Sequence, residues 1–82
     1  MDKLYEIIAK LSGEIKISAI TEETDLITDG SYDSLKFIQL ISEIEETFQI
    51  EFDIDDVDLK KLRSMKNLMQ LINEKIGDKK NG

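Results

Sequence analysis

The stretch that decides the fold is Asp33-Ser34-Leu35-Lys36-Phe37-Ile38-Gln39-Leu40-Ile41-Ser42-Glu43-Ile44-Glu45-Glu46-Thr47-Phe48. Phe37, Leu40, Ile41, Ile44 and Phe48 recur at the spacing of one helix face, so they form a single apolar stripe. Glu43, Glu45 and Glu46 fall beside or outside it. Asp33 is a good N-cap, because its carboxylate can accept backbone N–H groups that have no partner within the helix. The helix therefore starts at Asp33 or Ser34. Leu35 and Ile38 sit near its start and are read either as core edge or as an apolar contact patch. The turn-prone run Thr28-Asp29-Gly30-Ser31-Tyr32 leads into the helix. One serine hydroxyl thus stands at the exposed start of a helix, next to a carboxylate.

Working outward, Leu4, Ile7, Ile8 and Leu11 give a second amphipathic pattern, predicting a helix over about 3–12 with Gly13 as its stop. Ile15, Ile17 and Ile20 alternate loosely, but no partner strand is apparent and a lone strand is not stable. Residues 13–33 are therefore expected to be a long loop pinned to the core by Ile20, Leu26 and Ile27. A short helix is expected at about 55–59, capped by Asp53 or Asp55, with Ile54, Val57, Leu59 and Leu62 as its apolar set. The last helix is expected after Ser64, with Met65, Leu68, Met69, Ile72 and Ile76 buried and Gly77 ending it near Lys75. The fold class is all-α: a small helical bundle of three main helices plus one short helix, with a long first loop. One domain spans 1–82, with a core at about 3–76 and a frayed tail at 77–82.

Composition narrows the chemistry. The 82 residues include no Cys, His, Pro or Trp. Neither a thiol nor an imidazole is available for catalysis or for holding a metal. Lys36, two residues along a helix from Ser34, points to a different face and is no base for it. The chain is therefore expected not to be an enzyme. The acids from Asp53 to Asp58 match a calcium-binding loop only in part, since Asp58 stands where that loop needs Gly and Ser64 where it needs Glu. They are read as helix caps and surface charge, and no metal site is expected. The net charge is −7, which argues against nucleic acid as a partner. Residues 1–59 carry 16 acidic side chains against 4 basic, while 60–82 carry 2 against 7. Eight acids and no base lie between Glu43 and Asp58, either a solvated surface or a docking face for basic partners. No apolar run is long enough to span a membrane, and no signal peptide is evident, so a cytoplasmic location is expected.

Asp33-Ser34-Leu35 alone is a weak motif. It gains weight from the Gly-containing turn before it, the helix start that favours a phosphate, and the acidic stretch after it. With Asp25 to Leu35, Ile44-Glu45-Glu46-Thr47-Phe48-Gln49-Ile50 and Leu62-Arg63-Ser64-Met65, the chain from Leu4 to Ile76 resembles the acyl carrier protein family. The resemblance implies that a phosphopantetheinyl transferase attaches 4′-phosphopantetheine from coenzyme A to Ser34. It implies that Asp33 assists by helping to place magnesium and phosphate. It also implies that acyl or aminoacyl groups ride on the arm as thioesters, for fatty acid, polyketide, nonribosomal peptide or related biosynthesis. By position, Leu35, Ile38 and Ser42 would form the contact surface, with Gln39, Glu43, Glu45 and Glu46 as its polar rim. Acyl-loading and acyl-processing enzymes would dock there through basic patches, on a monomeric carrier. Lys36, Phe37 and Gln39 make the helix start less acidic than in familiar fatty-acid members, which suits a stand-alone carrier in a dedicated pathway. The alternative from a different class is an unmodified acidic helical adaptor.

Overall fold

The computed structural model describes residues 2–81 of the chain, with side chains described through 77. Helix α1 is Asp2–Ser12, α2 is Ser34–Phe48, α3 is Leu59–Leu62 and α4 is Met65–Asn81. Single 3₁₀ turns at Ile17–Ala19 and Ile54–Asp56 interrupt the two long connections. The architecture is the expected one, three main helices and a short one with a long first loop.

The apolar stripes meet in one core. Leu4 and Ile8 of α1, Phe37, Leu40, Ile41 and Ile44 of α2, and Met65, Leu68 and Ile72 of α4 are all buried. Removing these side chains from water is the main drive for assembly, at about 1.5–3 kcal/mol for each large aliphatic group. Met69 and Ile76 are half-buried against this core, and the Tyr5 hydroxyl donates to the Met69 sulfur at 3.8 Å. Gly13 adopts φ +72°, the left-handed conformation of a helix stop, and its N–H donates to the Ala9 carbonyl at 3.1 Å. Helix α2 ends on Gln49, also left-handed at φ 53°.

The first loop is anchored at both ends of its path. Ile20 and Leu26 are buried, as expected, and Ile27 is half-buried. The loop also pairs with the α3–α4 junction: Leu26 N–H donates to Arg63 C=O at 2.7 Å, and Met65 N–H to Thr24 C=O at 3.1 Å. Asp25 sits at the centre of this junction. Its carboxylate accepts the Ile27 and Thr28 amides and the Arg63 guanidinium, the last at 2.8 Å. The Arg63 hydrogen bond, more than any other cause, holds the Asp25 carboxyl below its ordinary value of 3.8. The ionised carboxylate therefore favours the fold. That stability is present above the unfolded value and is lost as the pH falls through the lower, folded one. Arg63→Gln is expected to move the onset of acid unfolding to higher pH, followed by helical circular dichroism between pH 2 and 6; a superimposable curve would refute the pair's role.

Two expectations are corrected. No helix spans 55–59. The Asp53 and Asp56 carboxylates each accept the other's backbone N–H, closing one 3₁₀ turn. Val57 and Asp58 then leave helical geometry, and the Asp58 carboxylate accepts the Lys60 amide to start α3. Aspartates that bond their own backbone divert it from a continuous helix, and here they move the helix to 59–62. Ile54, expected in the apolar set, is 93% exposed, while Leu62 is buried. The second correction is at Gly77, which does not end the last helix; α4 runs on to Asn81. Glycine in a helix costs only about 1 kcal/mol against alanine, and the ladder of backbone bonds passes through it. Side chains at 78–82, and Gly82 itself, lie outside the described residues.

Gly30 has a different reason to be glycine. A Cβ there would lie 2.9 Å from the Leu26 carbonyl oxygen and 3.2 Å from the Tyr32 ring. Backbone cannot yield that space without shifting the turn. Gly30→Ala is expected to cost about 1–3 kcal/mol, seen as a lower urea midpoint at unchanged m-value. An unaltered midpoint would remove close approach as the explanation.

Candidate attachment site at the start of the second helix

Ser34 is the first residue of α2, and Asp33 is its N-cap. Asp33 has extended backbone, and one carboxylate oxygen accepts the Lys36 amide at 2.8 Å. The cap fixes where the helix begins and so where Ser34 stands. Both residues are exposed. Among the described residues nothing in the chain bonds to the Ser34 hydroxyl or accepts from the Ser34 and Leu35 amides. A hydroxyl free of internal partners, beside unpaired N–H groups at the positive end of a helix, fits a phosphodiester. The absence of Cys from the chain means that any thiol at this site must come from an attached group.

The proposed contact residues separate on inspection. Leu35 and Ile38 are 66% and 59% exposed, so neither belongs to the core edge. Gln39, Ser42 and Glu46 are exposed and Glu43 is half-buried. Glu45 is committed elsewhere, its carboxylate accepting the Phe52 amide at 3.0 Å. The same division runs through the acidic stretch. Asp53 and Asp56 close their 3₁₀ turn and pair with the Lys75 ammonium, at 3.6 and 2.7 Å. The Lys75 contact lowers the Asp56 pKa and the Asp56 contact raises that of Lys75. These acids of the calcium-like sequence are thus used in caps and ion pairs. Glu43, Glu46, Glu51 and Asp55 make no side-chain hydrogen bond or ion pair among the described residues, so their charge is not used inside the fold.

The sequence reading missed what lies behind the serine. Tyr32, read only as part of a turn, is 3% exposed, and its hydroxyl donates to the Ile8 carbonyl at 2.8 Å. Burial pushes its pKa well above the ordinary tyrosine value, so the hydroxyl remains a donor. Buried Ser12 donates to the Gly30 carbonyl at 2.6 Å. Lys36, as expected, does not serve Ser34: its ammonium donates to the Ser12 carbonyl at 3.1 Å, at the negative end of α1. Its charge is therefore held on α1. Ser31 is left-handed at φ 56°, a conformation that costs a non-glycine residue roughly 1–2 kcal/mol, and its hydroxyl donates to the Glu14 carboxylate.

No helix among the described residues is long and apolar enough to cross a membrane. Residues 2–73 match the family described as Phosphopantetheine attachment site. The chain is similar to the acyl carrier protein of Thermotoga maritima, with 33% identity over 75 residues, 92% of this chain and 89% of that one. It is similar to the acyl carrier protein of Buchnera aphidicola subsp. Schizaphis graminum, with 38% identity over 73 residues, 89% of each chain. That of Desulforapulum autotrophicum is 34% identical over 73 residues, 89% of this chain and 92% of its own length. Family match, helical architecture and relatives that cover most of both chains agree: the protein belongs to the acyl carrier protein family and is a carrier for covalently attached 4′-phosphopantetheine.

Proposed function

We propose that Ser34 is the residue that takes the phosphopantetheine arm. The observation that carries this is its position: an exposed, unpartnered hydroxyl at the capped start of α2, flanked by the exposed Leu35 and Ile38. In the transfer the Ser34 oxygen forms a bond to the phosphorus on the pantetheine side of coenzyme A. The bond from that phosphorus to the bridging oxygen breaks, and the adenosine bisphosphate half leaves with the electron pair. The hydroxyl proton goes to a base in the transferase complex; this chain has no imidazole to take it. Asp33 assists with its exposed carboxylate, which can face a magnesium ion while one oxygen still caps the helix. Once attached, the arm supplies a thiol that holds acyl groups as thioesters.

Leu35 and Ile38 supply the apolar centre of a docking surface, and Gln39, Ser42, Glu43 and Glu46 its polar rim. Charge at such a rim speeds encounter and selects partners more than it strengthens the complex, which suits a carrier that must let go. The partners are the transferase and acyl-loading and acyl-processing enzymes with basic patches, met by a monomer in the cytoplasm. The relatives' shared name favours acyl over aminoacyl cargo. The test is the intact mass of the purified chain after incubation with coenzyme A, magnesium and a broad-specificity transferase. One added phosphopantetheine, located on the peptide containing Ser34, is expected. An unchanged mass, or an arm on another residue, would overturn the assignment.

A further inference from the structure

Gly30, Tyr32 and Lys36 bracket Ser34, and each is tied to the last turns of α1. The Gly30 carbonyl accepts from Ser12, the Tyr32 hydroxyl donates to Ile8, and the Lys36 ammonium donates to the Ser12 carbonyl. Two of these bonds are buried. The Tyr32 N–H also donates to the Leu26 carbonyl at 3.0 Å, and its ring packs beside Gly30. Ser34 is left out of these bonds and is exposed between them. Tyr32 is next to the cap residue, so its side chain sets the direction in which the chain enters α2.

We propose that Tyr32 is a positioning residue for the transfer onto Ser34: its hydroxyl bond to the Ile8 carbonyl holds the Gly30–Asp33 segment in the arrangement that presents the serine to the transferase. This rests on the reading of Ser34 as the attachment site. Tyr32 touches neither coenzyme A nor the reacting atoms. It acts through the population of the competent segment. The segment before Ser34 includes the left-handed Ser31 and lies outside any helix, so it has alternatives that these tertiary bonds disfavour. If a carrier is competent only a fraction of the time, its apparent affinity falls by that fraction while turnover of the bound complex is unchanged.

The test compares wild type with Tyr32→Phe, which keeps the ring and removes the hydroxyl, and with Ser12→Ala, which removes the neighbouring buried bond to Gly30 together with the acceptor of the Glu14 and Ile15 amides. Ile72→Val, a buried change in α4, serves as the control for a comparable fall in melting temperature. Initial rates are measured against carrier concentration with coenzyme A, magnesium and a broad-specificity transferase, well below every melting temperature. Tyr32→Phe is expected to raise KM for the carrier by up to about fivefold, the shift that losing one buried hydrogen bond gives to the equilibrium between competent and other arrangements, with kcat unchanged. Ser12→Ala shifts KM the same way, and Ile72→Val does not. Amide exchange at Tyr32, Lys36 and Phe37, whose N–H groups donate to the Leu26 carbonyl, the Asp33 carboxylate and the Asp33 carbonyl, is expected to quicken in Tyr32→Phe and not in Ile72→Val. A wild-type KM in Tyr32→Phe, or an equal rise in Ile72→Val, overturns the proposal and leaves Ser34 as the attachment site. Should Tyr32→Phe not fold, Ser12→Ala decides by the same readouts. Wild type that takes no arm removes both readings.

Discussion

Ser34→Ala is expected to abolish attachment completely while leaving the fold as stable as before, or slightly more so. The two halves of this result have separate causes. The hydroxyl is the only group the substitution removes, and the transfer has no other oxygen at that place. The fold does not use it: Ser34 is exposed, the cap is made by Asp33, and no described residue bonds the Ser34 side chain. Alanine is the better helix former, by up to about 0.5 kcal/mol. The melting curve should therefore overlay or move up by a few degrees, while the intact mass after treatment stays that of the unmodified chain. Ser31 makes the experiment discriminating. It is a second exposed hydroxyl close by in sequence, but it is bonded to Glu14. An added arm on Ser34→Ala would show that Ser31 or another serine competes, and the assignment would fail.

Leu40→Ala, six residues along the same helix, is expected to do the reverse. Leu40 is fully buried in the centre of the core. Truncation removes its transfer free energy and leaves a cavity that the neighbouring helices only partly fill, about 2–5 kcal/mol in all. Domains of this size have only about 5–15 kcal/mol of total stability. The melting temperature should fall by about 10–30 °C. Ile38→Ala, two residues nearer the helix start, provides the contrast. With Ile38 59% exposed, its truncation should change stability by less than about 0.5 kcal/mol. It should instead weaken docking, seen as a higher KM with transferase or acyl-processing enzymes. Equal melting losses for the two variants would contradict the division of α2 into a core face and a partner face.

Much of this was legible in the sequence. Three helices followed from apolar periodicity, and the place of Ser34 followed from Asp33, because a cap acts on amides within three residues of itself. The long first loop was also expected, with Ile20 and Leu26 as its anchors. The failures share a form. Between Asp53 and Asp58 the apolar spacing suggested a helix, but competing aspartate caps broke it into a 3₁₀ turn and a displaced α3. At Gly77 a local stop signal was overridden, and α4 continues.

The polar side chains around the site show the division most clearly. Sequence alone determined that a serine begins an amphipathic helix, that an aspartate caps it, and that the chain has no thiol or imidazole of its own. Each depends on residue identity or on neighbours within one helical turn. Only the tertiary structure decided that Tyr32 is a buried strut, that Lys36 serves α1, and that Glu45 is held by the Phe52 amide. Tyr32 and Lys36 each find a partner 24 residues away in sequence. Helical periodicity reaches only to the next turn, so it marks the face of a helix that will be buried. Which carbonyl waits opposite a given hydroxyl or ammonium is set by how the first loop folds back onto α1, and no local pattern encodes that return.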